Sequence, residues 1–364
     1  MRVALKECVW ERVGDDLVLV TDPREAVTLA DPDGRVEALL AALRRAPGTA
    51  ADIGAALGER EEDVRAGFEG LASLGLLEDA AETSLGDPAL DERHASNLSF
   101  FGSFADLGRS RAGHVRRLRE ARVLVLGVGG GGSSIVPCLA GLGVGALTLV
   151  DRDEVNPRNF SRQFLYRHAD IGRSKVERAA EWVREYDPSV EVRAVDRWIG
   201  GRDDLTDLTA GVDVIVGGLD GEPGSHLWIN EAAMRAGVPL VTGGMSRTQL
   251  FYCSVDPGRS RCLRCDEAAE PGPDDPGGAA ARRLVRSRPF TNALIGPLTM
   301  QVGSLVAFEA LRYLTGFEPP RAAGSYVVLD LETGLVPRWE PFADDPDCPL
   351  CAAGAPVAPA TAGP

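Results

Sequence analysis

The segment ARVLVLGVGGGGSS, residues 121–134, constrains the fold more than any other part of the chain. A short Val/Leu run closed by glycine reads as a buried strand, and the residues after it, Ser133–Leu142, read as a helix. Gly127, Gly129 and Gly132 take the spacing G-x-G-x-x-G, with Gly130 among them. Small residues there let the backbone approach phosphates at a helix N-terminus, where anions are favoured. The spacing alone also fits dinucleotide, flavin and methyl-donor sites, or a tight turn with no ligand. A second strand, ALTLVD, ends in Asp151, 24 residues after Gly127, where an acid can receive a ribose hydroxyl.

Beyond Arg122 strands and helices alternate, the mark of an α/β domain with a mostly parallel, Rossmann-like sheet. After ALTLVD come a helix over Lys175–Tyr186 and the strand VEVRAVD. The strand VDVIVGGLD, a helix over Ser225–Ala236 and the strand VPLVTGG follow. Leu294–Leu314 reads as a long helix with small residues on one face, and YVVLDLETG as a closing strand. Residues 266–290 are rich in Pro, Gly and Asp and predict a mobile loop; the Ala/Pro-rich tail 352–364 predicts disorder.

Residues 1–82 have a different grammar. Strand-like pieces (CVWERV, DLVLVTD, EAVTLAD) are separated by turn residues, then helical patterns cover Arg35–Arg45, AADIGAALG and Glu61–Leu74. Strands followed by three helices predict a small winged-helix unit. The division expected is therefore 1–82, a linker running into helix at 83–120, a nucleotide-binding domain at 121–351, and the tail.

Charge narrows the partners. The chain of 364 residues carries a net −15, which argues against a nucleic-acid or membrane-surface role. Residues 1–82 hold 9 Lys/Arg against 18 Asp/Glu, and the third helix opens Glu59-Arg-Glu-Glu-Asp63. A DNA-recognition helix that acidic would be repelled by phosphate. No apolar run nears the roughly 20 residues of a membrane span, and MRVALKECVWERVGDD has no signal-peptide core, so the reading is a soluble cytoplasmic protein.

Asp151 is followed by Asn159, Arg162 and Gln163, then by Lys175 at the start of the next helix. Arg162 offers a planar fork for phosphate, Asn159 a donor beside it, and Lys175 a point cation. Asp220 ends a strand at the carboxyl edge of the sheet, a place for Mg²⁺ bridging phosphates. Residue by residue, these could be parts of a salt-bridged surface loop; as a set at strand ends they suit ATP better than a hydride-transfer cofactor. Cys262-x-x-Cys265 and Cys348-x-x-Cys351 read as a four-thiolate zinc site, with a pair of redox dithiols as the competing reading. Cys8, Cys138 and Cys253 lie among apolar residues, where burial is the default. His94, His114, His168 and His226 show no pairing, and solvated or helix-face positions are expected for them.

With those residues in view, 121–351 resembles the ubiquitin-activating-enzyme superfamily in its bacterial form, the ThiF/MoeB/HesA adenylyltransferases. The resemblance lies in the glycine turn, Asp151…Asn159-x-x-Arg162-Gln163, Ile171-Gly172-x-x-Lys175, Asp220 and both CxxC pairs, in that order. It implies that Gly127, Gly129, Gly130, Gly132, Asp151, Asn159 and Gln163 bind ATP, with Arg162, Lys175 and Asp220 catalytic. It also implies Mg²⁺ on Asp220, a structural zinc, a homodimer, and adenylation of a C-terminal carboxylate. Where the family carries an arginine that reaches the partner's ATP, Arg93-His94-Ala95-Ser96-Asn97 has Ser96. No cysteine lies in 266–290 to form a thioester.

Residues 1–82 resemble the PqqD-like domains that bind leader peptides of ribosomally made natural products, the peptide adding as a strand and resting on the third helix. The two domains together are similar in layout to the microcin C type of peptide adenylyltransferase. The implied substrate is the C-terminus of a precursor peptide or a small carrier protein. A scaffold that binds leader peptides without adenylating them, a docking module without a peptide ligand, and a nicotinamide oxidoreductase are the remaining readings.

Overall fold

A computed structural model describes residues 1–22, 24–219, 224–268 and 294–351, together with 277, 280 and 284. Asp220, most of the segment 266–290 and the tail 352–364 lie outside the described residues, and with them the expectations placed there. The chain divides into two compact units, Met1–Arg117 and Leu118–Pro364.

In the first unit, β1 (Val3–Leu5) precedes an antiparallel sheet of β2 (Val9–Val13), β3 (Asp16–Asp22) and β4 (Glu25–Ala30). Helices α1 (Arg35–Arg45), α2 (Ala50–Leu57) and α3 (Glu61–Ser73) follow, and β5 (Leu77–Asp79) returns to pair with β1. The strands-then-helices order read from the sequence is present. Local chemistry sets it: Thr49 and Asp52 form a capping box at α2, and Asp31 accepts from the amides of Val36 and Glu37 at the start of α1. Alternation puts Leu17 and Leu19 of β3 into a core with Leu40, Phe68 and Leu71. The expected linker contains α4 (Pro88–Arg93), α5 (Ala95–Gly102) and all of α6 (Arg111–Glu120), inside which the division between units falls.

Glu78 of β5 is 3% exposed and takes a two-pronged ion pair from Arg111, with Nε donating to Oε2 at 2.8 Å. Gly102 makes room for it: a Cβ there would stand 2.7 Å from the guanidinium carbon. Arg111→Ala strands a buried carboxylate, and we expect a loss of about 3 kcal/mol in urea unfolding. A change below about 0.5 kcal/mol would show the pair to be ornamental.

The second unit is built on one eight-stranded sheet. Its strands are β6 (Arg122–Leu126), β7 (Ala146–Asp151), β8 (Glu191–Asp196), β9 (Val214–Gly217) and β10 (Leu240–Ser246), then β11 (Gln249–Val255), β12 (Ser325–Asp330) and β13 (Arg338–Pro341). The order is β13-β12-β11-β10-β9-β6-β7-β8, with β10-β9-β6-β7-β8 parallel and the rest antiparallel. Helices α7 (Gly132–Leu142), α8 (Lys175–Tyr186), α9 (Ser225–Ala236) and α10 (Leu263–Ala268) join strands or follow them, and α11 (Gly296–Thr315) is the long helix expected near 294–314. Past the exposed Arg122 that opens β6, the central strands β6 and β9 are apolar and buried, as parallel strands covered on both faces must be. Two strands of this sheet escaped the sequence reading: β11, and β13, which lies beyond the strand expected to close the sheet; β1 and β5 of the first unit escaped it too.

Strand order reverses between β6 and β9, so the crevice outside their carboxyl ends is where a ligand belongs. The small-residue face expected of α11 covers that crevice. A Cβ on Gly303 would be 2.4 Å from Ser134 Cβ, and one on Gly130 would be 3.3 Å from Thr299 Cγ2. Among the described residues no helix is long and apolar enough to cross a membrane.

Candidate nucleotide site and four-cysteine centre

Leu126 ends β6, and Gly127 turns the chain at φ +77°, a conformation that side chains rarely adopt. Its neighbour forbids a side chain as well, since a Cβ would lie 2.5 Å from the Gly218 carbonyl oxygen at the end of β9. The turn then closes on itself. A Cβ on Gly132 would fall 1.9 Å from the Gly127 oxygen, so the first residue of α7 and the last contact of β6 meet backbone to backbone.

Asp151 joins this turn from β7. Its Oδ2 accepts from the Val128 amide at 2.8 Å and its Oδ1 from the Asp153 amide at 2.8 Å. Burial raises its carboxyl above the ordinary carboxylate range, opposed by those two amides and by Lys175. Tyr166 donates to the Val128 carbonyl at 2.6 Å, and burial pushes its phenol up, keeping it a donor.

The segment after Asp151 folds into a short turn at Pro157–Asn159. Asn159 is buried, and its Oδ1 accepts from the Asn156 amide at 2.8 Å; its carbonyl accepts from the amides of Arg162 and Gln163. Part of Asn159's work is thus to hold the turn that presents Arg162. The Arg162 side chain lies 3.8 Å from where a Gly130 Cβ would be, and Gln163 Nε2 the same distance from a Gly129 Cβ. Arg162 Nε and Gln163 Oε1 are buried and have no hydrogen-bond partner among the described residues. The unmet Arg162 donor against a bare glycine backbone fits an anionic ligand such as a nucleotide phosphate, while the Gln163 acceptor calls for a donor such as a hydroxyl.

Lys175, the first residue of α8, is buried and paired with Asp153 at 2.8 Å. The structure therefore gathers Asp151 and Lys175 around one loop, and Arg162 and Gln163 against the glycine turn. Asp153 and Tyr166 were missed by sequence reasoning, although Asp153 stands two residues from the acid that was singled out.

On the opposite flank a cavity of about 500 Å³ opens from Gly129–Gly132 past Leu219 to Thr242, Phe251 and Val302. Asp151, Arg162 and Lys175 are not among its lining residues. The phosphate-directed groups thus stand on the β7 side, and on the β10 side is a chamber whose described lining holds no Asp, Glu, Lys or Arg.

The two CxxC pairs converge as expected. Cys262 Sγ is 3.9 Å from Cys265 Sγ and from Cys348 Sγ, Cys265 is 3.5 Å from Cys351, and all four sulfurs lie within 4.8 Å of one another. Four thiolates at about 2.3 Å from a tetrahedral Zn²⁺ would be about 3.8 Å apart. The cluster fits zinc, which supplies a structural crosslink when bound.

Other expectations divide. Cys8 and Cys253 are buried, and Cys138 is partly so. His168 and His226 are exposed, but His94 and His114 are not in solvated positions. His94 lies against Asn97 at 3.2 Å, and His114 stacks on Phe101 with ring centroids 5.0 Å apart. His94 is the cap residue between α4 and α5, and His114 lies on the buried face of α6. Ser96 lies exposed in α5.

Comparison with known proteins bears on the family and the fold. The model of the ThiF family matches residues 101–350. The SAMP-activating enzyme E1 of Haloferax volcanii is 33% identical over 242 residues, covering 65% of this chain and 83% of that protein. The sulfur carrier protein ThiS adenylyltransferase of Escherichia coli is 30% identical over 239 residues, 65% of this chain and 88% of that one. Among solved structures, E. coli MccB with ATP superposes with a TM-score of 0.78 at 19% identity, over 96% of this chain and all of that chain.

Proposed function

The chain belongs to the ThiF family of ATP-dependent adenylyltransferases, and we propose that the carboxylate it activates is the C-terminus of a ribosomally made peptide. The observation that carries this is coverage. The carrier-activating relatives align with 65% of the chain, whereas the MccB fold extends over 96% of it, and MccB has been solved in complex with N-formylated MccA. In this reading residues 1–82 form a winged-helix unit that takes the peptide as an added strand, and the enzyme works as a homodimer.

The chemistry needs charge neutralisation and alignment more than proton transfer, because a carboxylate is already ionised. Its oxygen attacks the α-phosphorus of ATP; the new O–P bond forms as the bond to the β-phosphate breaks, and pyrophosphate leaves. Asp151 receives the ribose, the glycine turn meets the phosphates, and Arg162 and Lys175 offset their charge. Asp220 holds Mg²⁺. The acceptor's tail enters from the chamber beside Thr242 and Phe251, opposite the charged flank.

Activation of a small carrier protein is the second reading, favoured by the 33% identity to the Haloferax enzyme. An idle scaffold, suggested by Ser96, has against it the buried polar atoms of Arg162 and Gln163 waiting at the turn. The test is pyrophosphate release with Mg-ATP and two acceptors in parallel: a precursor peptide encoded beside the gene, and a small carrier ending in Gly-Gly. Release with the peptide alone is the expected result, and release with the carrier alone would overturn the proposal. Arg162→Ala is expected to cut release by about 100-fold with either acceptor.

A further inference from the structure

Only 6% of the Lys175 side chain is exposed. An ammonium so enclosed needs a partner to hold its position. Its side-chain partner is Asp153 Oδ2 at 2.8 Å, and the backbone closes the same contact, with the Lys175 amide donating to the Asp153 carbonyl at 2.8 Å. Flanking amides fasten the two segments further, from Val155 to the Arg173 carbonyl and from Gly172 to the Val155 carbonyl, each at 2.9 Å. Asp153's own amide donates to Asp151, which in turn accepts from Val128 in the glycine turn. One run of contacts thus leads from the phosphate turn through the ribose acid to the lysine, and Asp153 is its last link.

The exposure of Asp153 separates this role from packing. Its side chain is 63% exposed, so truncating it opens no cavity and removes nothing from the core. What it does remove is the anion beside an enclosed cation.

We propose that Asp153 is a positioning residue for the phosphates of ATP: it keeps Lys175 in place for the triphosphate without touching the nucleoside. The inference rests on the reading of Lys175 as a phosphate cation. It is tested by calorimetric titration of the full-length protein with Mg-ATP and, separately, with AMP. Asp153→Ala, Asp153→Asn, Lys175→Ala and the Asp153→Ala/Lys175→Ala double variant are compared with the parent. Asp153→Ala is expected to weaken Mg-ATP binding about tenfold, leave AMP within about twofold, and add nothing once Lys175 is gone. Asp153→Asn, which keeps an acceptor oxygen, should recover part of the loss.

Unchanged or tighter Mg-ATP binding by Asp153→Ala would overturn the inference. So would equal weakening of ATP and AMP, or a full additional loss in the double variant. If Lys175→Ala itself fails to weaken ATP relative to AMP, the phosphate role of Lys175 falls, and this inference with it. A Lys175→Ala loss without an Asp153→Ala loss sinks the inference alone.

Discussion

Gly132→Ala is expected to abolish Mg-ATP binding, by at least about 100-fold in Kd, while the sheet still forms. Helix propensity pushes the other way, because alanine at the start of α7 is favoured over glycine by about 1 kcal/mol. The steric term wins. The added methyl would stand 1.9 Å from the Gly127 carbonyl oxygen and 2.8 Å from its carbon, both backbone atoms. Gly127 has nowhere to retreat: its amide is bonded to the Val150 carbonyl at 2.8 Å, and its α-carbon already faces Gly218. Relief must come from opening the turn, which breaks the surface meant to meet the phosphates. Gly131→Ala is the control, since a Cβ there meets no atom within 4 Å and its φ of −66° suits any residue. Its stability should stay within about 0.5 kcal/mol of the parent, so any affinity it loses reports the nucleotide's own approach. Calorimetry and thermal unfolding of both variants decide the matter; parent-like ATP binding by Gly132→Ala would refute this account of the turn.

The same glycines explain why this part of the molecule was legible in the sequence. A turn with two positions, Gly127 and Gly132, that admit no side chain, between an apolar run and a helical pattern, leaves few topologies open, and Asp151 follows from the next strand end. Helices with strong periodicity and clear ends, such as Arg35–Arg45, Lys175–Tyr186 and Ser225–Ala236, have the bounds read from sequence. The hairpin from β10 to β11 was hidden for a physical reason. Its turn is Arg247-Thr248, with Arg247 at φ +54°, where Asn or Gly would ordinarily announce a two-residue turn. β13 is four residues long and exposed, with too little alternation to register. The buried histidines and the Asp153–Lys175 pair depend on contacts that only the folded chain creates. The pair spans 22 positions and no periodicity marks it.

Loss of the metal is expected to be the most destabilising single event in the second unit. We expect one zinc per chain in the purified protein, and its loss in Cys265→Ser and in Cys348→Ser. Structural zinc sites in small domains contribute on the order of 10 kcal/mol of apparent binding free energy, most of it coupled to folding. Here the crosslink ties the segment after β11 to the segment after β13, closing the 82 residues that separate the two pairs. Loop closure of that length is worth several kcal/mol in its own right, about 4 to 5 in the chain-entropy description used for disulfides. Each knuckle is pre-shaped: the Cys265 amide donates to the Cys262 carbonyl at 3.0 Å, and the Cys351 amide to the Cys348 carbonyl at 3.2 Å. The segment is also fastened to α9, where buried Asn230 accepts from the Leu263 amide at 3.1 Å. A freed loop would therefore disturb the helix that leads back to the nucleotide crevice, and chelation should lower both Tm and Mg-ATP affinity. Elemental analysis and thermal unfolding before and after chelation are the measurements. Two disulfides and no metal in the native protein would favour the redox reading and remove zinc from the account.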